Sequence, residues 1–171
     1  QTAAGDARMT GRVKFAAATG GAPVPLRLDL ASVRVEDMSR AERFAPVTIE
    51  GPVTMVKRRI EAKFVARSAL PAIRGARLAN VDARFDIAKG EGEISADGDL
   101  AFAPGKLELQ AVLPMLNEAV TQTSGGMSYS VQAKLSRTGL STSGKATLKE
   151  LGFVAPSASA RGIGGVINFR S

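Results

Sequence analysis

The chain has 171 residues, 44% of them hydrophobic, with no Cys, His or Trp and a single Tyr. That is enough apolar material for one core or one elongated sheet, and too much for a disordered chain. The missing Cys excludes a disulfide scaffold and thiolate metal sites, and the missing His removes the commonest general base and metal ligand.

The net charge of +7 is unevenly placed: residues 1–77 hold 14 Lys/Arg against 7 Asp/Glu, and residues 78–171 hold 9 of each. A basic face of this kind suits anionic headgroups or nucleic acid. No run is long and apolar enough for a transmembrane helix, and no signal-peptide pattern opens the chain. The chain is expected to be one β-rich domain over residues 1–171, cut from a larger protein whose next strand follows Ser171.

In chain order, residues 1–10 read as a frayed lead-in. Arg12–Ala17 reads as a first strand and Thr19-Gly20-Gly21 as a turn. In Val24–Val35, Leu26, Leu28 and Leu30 share one phase and Val33 and Val35 the other. That slip predicts a β-bulge near Ala31-Ser32. Ser39 and Glu42 have capping-box spacing before Pro46. Val47, Ile49, Val53 and Met55 alternate across Gly51-Pro52, which predicts an edge or a kink. The basic run Lys57-Arg58-Arg59 marks a hairpin, and Ile60, Ala62, Phe64 and Ala66 return from it.

After a loop around Pro71, Val81, Ala83, Phe85 and Ile87 alternate up to Lys89-Gly90-Glu91-Gly92. Ile94, Ala96, Gly98, Leu100 and Phe102 alternate back, so this is a second hairpin. Pro104-Gly105 turns the chain into Leu107 and Leu109. Leu113–Thr123 breaks the period-two pattern, with Pro114 in a first-turn position and Leu116 four before Val120. It predicts one short helix, closed by Gly125-Gly126. Met127, Tyr129, Val131, Ala133 and Leu135 then alternate up to Arg137-Thr138-Gly139, and Leu140, Thr142, Gly144, Ala146 and Leu148 alternate back. Gly162–Gly165 reads as a bend leading into Val166, Ile167 and Phe169.

The fold class is therefore mainly β: an antiparallel meander, as an elongated, curled, half-open sheet with a groove and one short helix near 113–123. A closed β-sandwich is the alternative. The carboxylates Asp82, Asp86, Glu91, Glu93, Asp97 and Asp99 cluster on one hairpin, but alternate residues of a half-buried sheet must be polar in any case. The basic run lacks the interleaved aromatics of a nucleic-acid platform, since Phe64 has the apolar phase. No catalytic residue, metal site, cofactor or nucleic-acid partner is expected. The remaining candidate is the apolar stripe, in which small residues between large ones leave room for a guest. Its lining is Val81, Phe85, Ile87, Ile94, Leu100, Phe102, Leu107, Leu109, Met127, Tyr129, Val131, Leu135, Leu140 and Leu148, with Lys57, Arg58 and Arg59 as headgroup contacts.

The stretch Ala146–Phe169 runs from a strand through Leu151-Gly152-Phe153 to Arg161-Gly162-Ile163-Gly164-Gly165-Val166-Ile167-Asn168-Phe169. It resembles the C-terminal region of YdbH-like proteins of the AsmA-like superfamily. In that family the corresponding glycine phrase carries Asn where Gly164 stands here. The resemblance implies a non-catalytic segment of a periplasmic bridge-like protein, anchored in the inner membrane through parts outside this chain. It implies a groove that moves phospholipid or another acyl-chain ligand between inner and outer membranes, with envelope proteins as further partners. The alternative is a structural or protein-interaction β-domain of the cell envelope.

Overall fold

The computed structural model describes residues 7–16, 26–38, 42 and 44–171, and only the backbone of 7–16. Among the described residues nine strands follow one another in a single antiparallel sheet whose spatial order is the chain order. They are β1 (Ala7–Ala16), β2 (Leu26–Asp37), β3 (Val47–Val56), β4 (Arg59–Ser68), β5 (Arg77–Asp86), β6 (Glu91–Phe102), β7 (Gln122–Ser136), β8 (Gly139–Ala155) and β9 (Ala158–Arg170). The sheet is a meander that does not close: among the described residues β1 pairs only with β2 and β9 only with β8.

The period-two stripes fix the register, because a one-residue slip would send every apolar side chain to the wet face. The expected bulge is present: β1 and β2 slip at Arg12/Val13 opposite Ser32 and Leu30, and β2 and β3 slip between Leu30 and Val33. Pro52 lies in an inner strand, not at an edge. The β3–β4 ladder skips Gly51 and Pro52, and Gly51 has φ of 147° where a Cβ would strike the Lys63 carbonyl. Further slips on β4–β5, β7–β8 and β8–β9 add local twist and bend.

Four expectations change in detail. The first strand begins at Ala7, inside the expected lead-in. The helical segment is one α turn, α1 (Leu109–Val112), followed by a 3-10 turn at Pro114–Leu116. Gly125-Gly126 lies within β7, and Gly162–Gly165 within β9 with φ of 69° at Gly162. The Thr19-Gly20-Gly21 turn and Ser39 of the capping box lie outside the described residues.

The tightest packing sits at one end of the sheet. Leu78, Leu100 and Phe102 are buried together, with Val47, Met127, Tyr129 and Leu151 against them from the sheet and Leu107, Leu109 and Val112 from the segment between β6 and β7. Each such buried Leu or Phe contributes about 1.5–3 kcal/mol.

Candidate functional site

Cross-strand registers place the apolar residues in rows that run across the strands. One row is Ile60, Phe85, Gly92, Leu135 and Leu140; the next is Ala62, Ala83, Ile94, Ala133 and Thr142. Then come Phe64, Val81, Ala96, Val131, Gly144 and Phe169, followed by Tyr129 with Gly98, Ala146 and Ile167. A fifth row has Leu100, Met127 and Leu148. Of the predicted lining, Val81, Phe85, Ile94, Leu100, Phe102, Met127, Tyr129, Val131, Leu135, Leu140 and Leu148 share this one face.

Three predicted residues sit elsewhere. Ile87 is exposed in the β5–β6 turn, where its N–H donates to the Arg58 carbonyl. Leu107 and Leu109 are not in a strand. They belong to a strap, residues 103–121, that lies over the face instead of lining it. Ile60, Phe64, Ile167 and Phe169, which are not among the predicted lining, join this face by register.

The strap is fastened by polar groups. The Leu109 N–H donates to Thr123 Oγ1 at 2.8 Å, and the Thr123 hydroxyl donates to Gln110 Oε1 at 3.3 Å. Gln110 Nε2 reaches the Thr121 carbonyl at 2.9 Å, and the Ala45 N–H donates to the Val112 carbonyl at 2.9 Å. The strap therefore leaves β6, reaches the β2–β3 connection and returns to β7. It seals the end of the face that holds Leu100 and Phe102, 5% and 4% exposed.

The opposite end, toward the β3–β4, β5–β6 and β7–β8 hairpins, is open. Ile94 is 51% exposed and Leu140 65%, and Leu135 is exposed as well, while Ile167 and Phe169 stand exposed along the edge strand β9. Ile60, Phe85, Ile94, Ala133, Leu135 and Leu140 line a shallow depression of about 130 Å³ there. Contiguous exposed apolar side chains of this kind mark a surface that meets lipid, ligand or protein.

The floor is kept low by rings lying on glycines. Phe85 faces Gly92, Tyr129 faces Gly98 and Phe169 faces Gly144, and in each pair the ring occupies the space a Cβ would need. The Tyr129 hydroxyl donates to the Leu78 carbonyl at 2.8 Å. Burial, and then the negative charge of Asp97, pushes its phenol pKa above the usual range.

The wet face neutralises itself. Lys63 pairs with Asp82 (3.6 Å), Arg59 with Asp86 (3.8 Å), Lys134 with Glu93 (3.9 Å) and Lys149 with Asp99 (3.4 Å). Asn80 Nδ2 donates to Asp97 at 3.0 Å. Register places the first three pairs directly opposite across neighbouring strands. Asp82, Asp86, Glu93, Asp97 and Asp99 are thus engaged in cross-strand contacts, and Arg59 with Asp86. Lys57 and Arg58 occupy the turn and form no ion pair among the described residues. Among the described residues no group of three or more Asp or Glu is placed to hold a metal ion, and no helix is long and apolar enough to cross a membrane.

Comparison with protein-family models, with curated proteins and with solved structures finds no match for this chain.

Proposed function

We propose that the open apolar face binds acyl chains, and that the chain is a non-catalytic groove segment of a periplasmic bridge-like protein passing phospholipids between inner and outer membranes. The observation that carries this reading is one continuous apolar face, sealed at the strap and uncovered at the hairpins, where Ile94, Leu135 and Leu140 stand exposed. Acyl chains would leave water for that surface at roughly 25 cal/mol per Å² buried. The Ala and Gly positions between the large side chains give a shallow floor without a deep trap, which suits sliding better than tight retention. The likeness of Ala146–Phe169 to YdbH-like proteins supports the periplasmic setting and an anchor in the inner membrane.

The test is native mass spectrometry of delipidated protein after exposure to phospholipid vesicles. Bound phospholipid at defined stoichiometry is the expected result. An intact sheet that takes up none would sink the proposal.

A second reading, a structural or interaction domain of the envelope, draws on the outer edge of β9, which pairs with no strand among the described residues. An open edge offers a row of backbone donors and acceptors to a partner strand. It predicts capture of an extended peptide and indifference to lipid.

A further inference from the structure

The two ends of the apolar face differ in chemistry as well as in access. The turns of the β3–β4, β5–β6 and β7–β8 hairpins lie together at the open end. Their residues, 57–58, 87–90 and 137–138, include Lys57, Arg58, Lys89 and Arg137 and no carboxylate. None of these four cations forms an ion pair among the described residues.

The three turns are also tied to one another. Ile87 N–H donates to the Arg58 carbonyl at 2.8 Å, and Arg137 Nε–H donates to the Lys89 carbonyl at 2.8 Å. Asp86 Oδ1 accepts the N–H groups of Ala88 (3.0 Å) and Lys89 (3.2 Å), which fixes the middle turn. The result is a fastened row of cationic turns at the end of the sheet next to the first apolar row, Ile60, Phe85, Leu135 and Leu140, with Lys57 and Arg58 grouped beside Glu61 and Asp86.

Distance completes the picture. From Leu135 back to Tyr129, which packs against the buried cluster of Leu78, Leu100 and Phe102 that the strap also covers, is six residues of β7, or about 20 Å at the rise of a strand. The hydrocarbon of one bilayer leaflet is about 15 Å deep, half the core thickness. The open floor is one acyl chain long.

We infer that the hairpin rim binds the phosphate of anionic lipid headgroups, and that the acyl chain runs parallel to the strands toward the strap, which stops it. This rests on the acyl-chain reading above and adds to it a headgroup class and an orientation. Charge complementarity favours phosphatidylglycerol, with a net negative headgroup, over zwitterionic phosphatidylcholine, and salt weakens that preference.

The test compares uptake of the two lipids by the full chain and by the triple variant Lys57→Gln/Arg58→Gln/Lys89→Gln. These side chains bond to nothing among the described residues, so the sheet stays folded, as far-ultraviolet circular dichroism would confirm. The expected result is a phosphatidylglycerol preference in the parent chain that falls roughly tenfold in the variant, with phosphatidylcholine uptake unchanged. Equal uptake of both lipids by the parent chain, or an unchanged preference in the variant, overturns the rim while leaving acyl-chain binding intact. Uptake of neither lipid overturns both readings. Inorganic phosphate is the control for source: if it competes as well as phosphatidylglycerol binds, the rim is a plain anion site and the orientation fails.

Discussion

Tyr129 stands directly across the β6–β7 ladder from Gly98, with its ring in the space a Gly98 side chain would fill and its hydroxyl on the Leu78 carbonyl. A Cβ on Gly98 would lie 2.6 Å from Tyr129 Cε1 and closer still to the Leu78 oxygen. Gly98→Ala must therefore lift the ring and break its hydrogen bond. The expected loss is about 1–3 kcal/mol of stability, read from urea midpoints at constant slope. In a Tyr129→Leu background the same change costs less, because the pair is coupled.

The same tyrosine makes the sheet sensitive to alkali. Its folded pKa is raised, first by burial and then by Asp97. Between the unfolded pKa of about 10 and the raised folded value, the native state holds more protons than the unfolded state. That stability contribution is full below pH 10 and is lost as pH rises through the folded pKa. Tyr129→Phe should flatten this alkaline slope. As the only Tyr in a chain without Trp, its phenolate absorbance reports the titration directly. A midpoint at the ordinary tyrosine value would refute it.

Thr123 holds the strap, and it is 2% exposed. Thr123→Val keeps the shape and removes the acceptor for the Leu109 N–H. Leaving that donor unpaired should cost about 1–3 kcal/mol. The loss should be local, with hydrogen exchange accelerated at Leu109 and Val112 before it changes at Leu100. Uniform destabilisation of the sheet would mean that the strap is not a separate unit.

The strands and the bulge at Ala31-Ser32 were legible because period-two alternation is a local signal, and so is the phase slip that breaks it. The strap was harder to read. Leu107 and Leu109 alternate as a strand would, and the groups that hold the segment in a helical turn are distant in sequence, among them the Thr123 hydroxyl, 14 residues on from Leu109, and Ala45 on the Val112 carbonyl. The helical turn therefore falls at Leu109–Val112, ahead of the expected 113–123, and Gln122 and Thr123 belong to β7. The ring-on-glycine pairs were invisible for a related reason. Gly92, Gly98 and Gly144 look like weak points in their strands until the register sets an aromatic opposite each. Charge density alone could not separate Arg59, paired with Asp86, from Lys57 and Arg58 in the turn beside it.

The open and sealed halves of the apolar face should respond oppositely to substitution. Ile94→Thr and Leu140→Thr replace exposed apolar groups while keeping strand preference, so their stability should change by no more than about 0.5 kcal/mol. Leu100→Ala empties a buried site and should cost about 2–5 kcal/mol. If acyl chains lie at the hairpin end, the Ile94→Thr/Leu140→Thr pair should lower fluorescent fatty-acid uptake several-fold. A mild Leu100→Val change, under the strap, should leave that uptake nearly unchanged. Equal losses from both would place the chain beneath the strap, and an unaffected double variant would remove the hairpin end from the binding path.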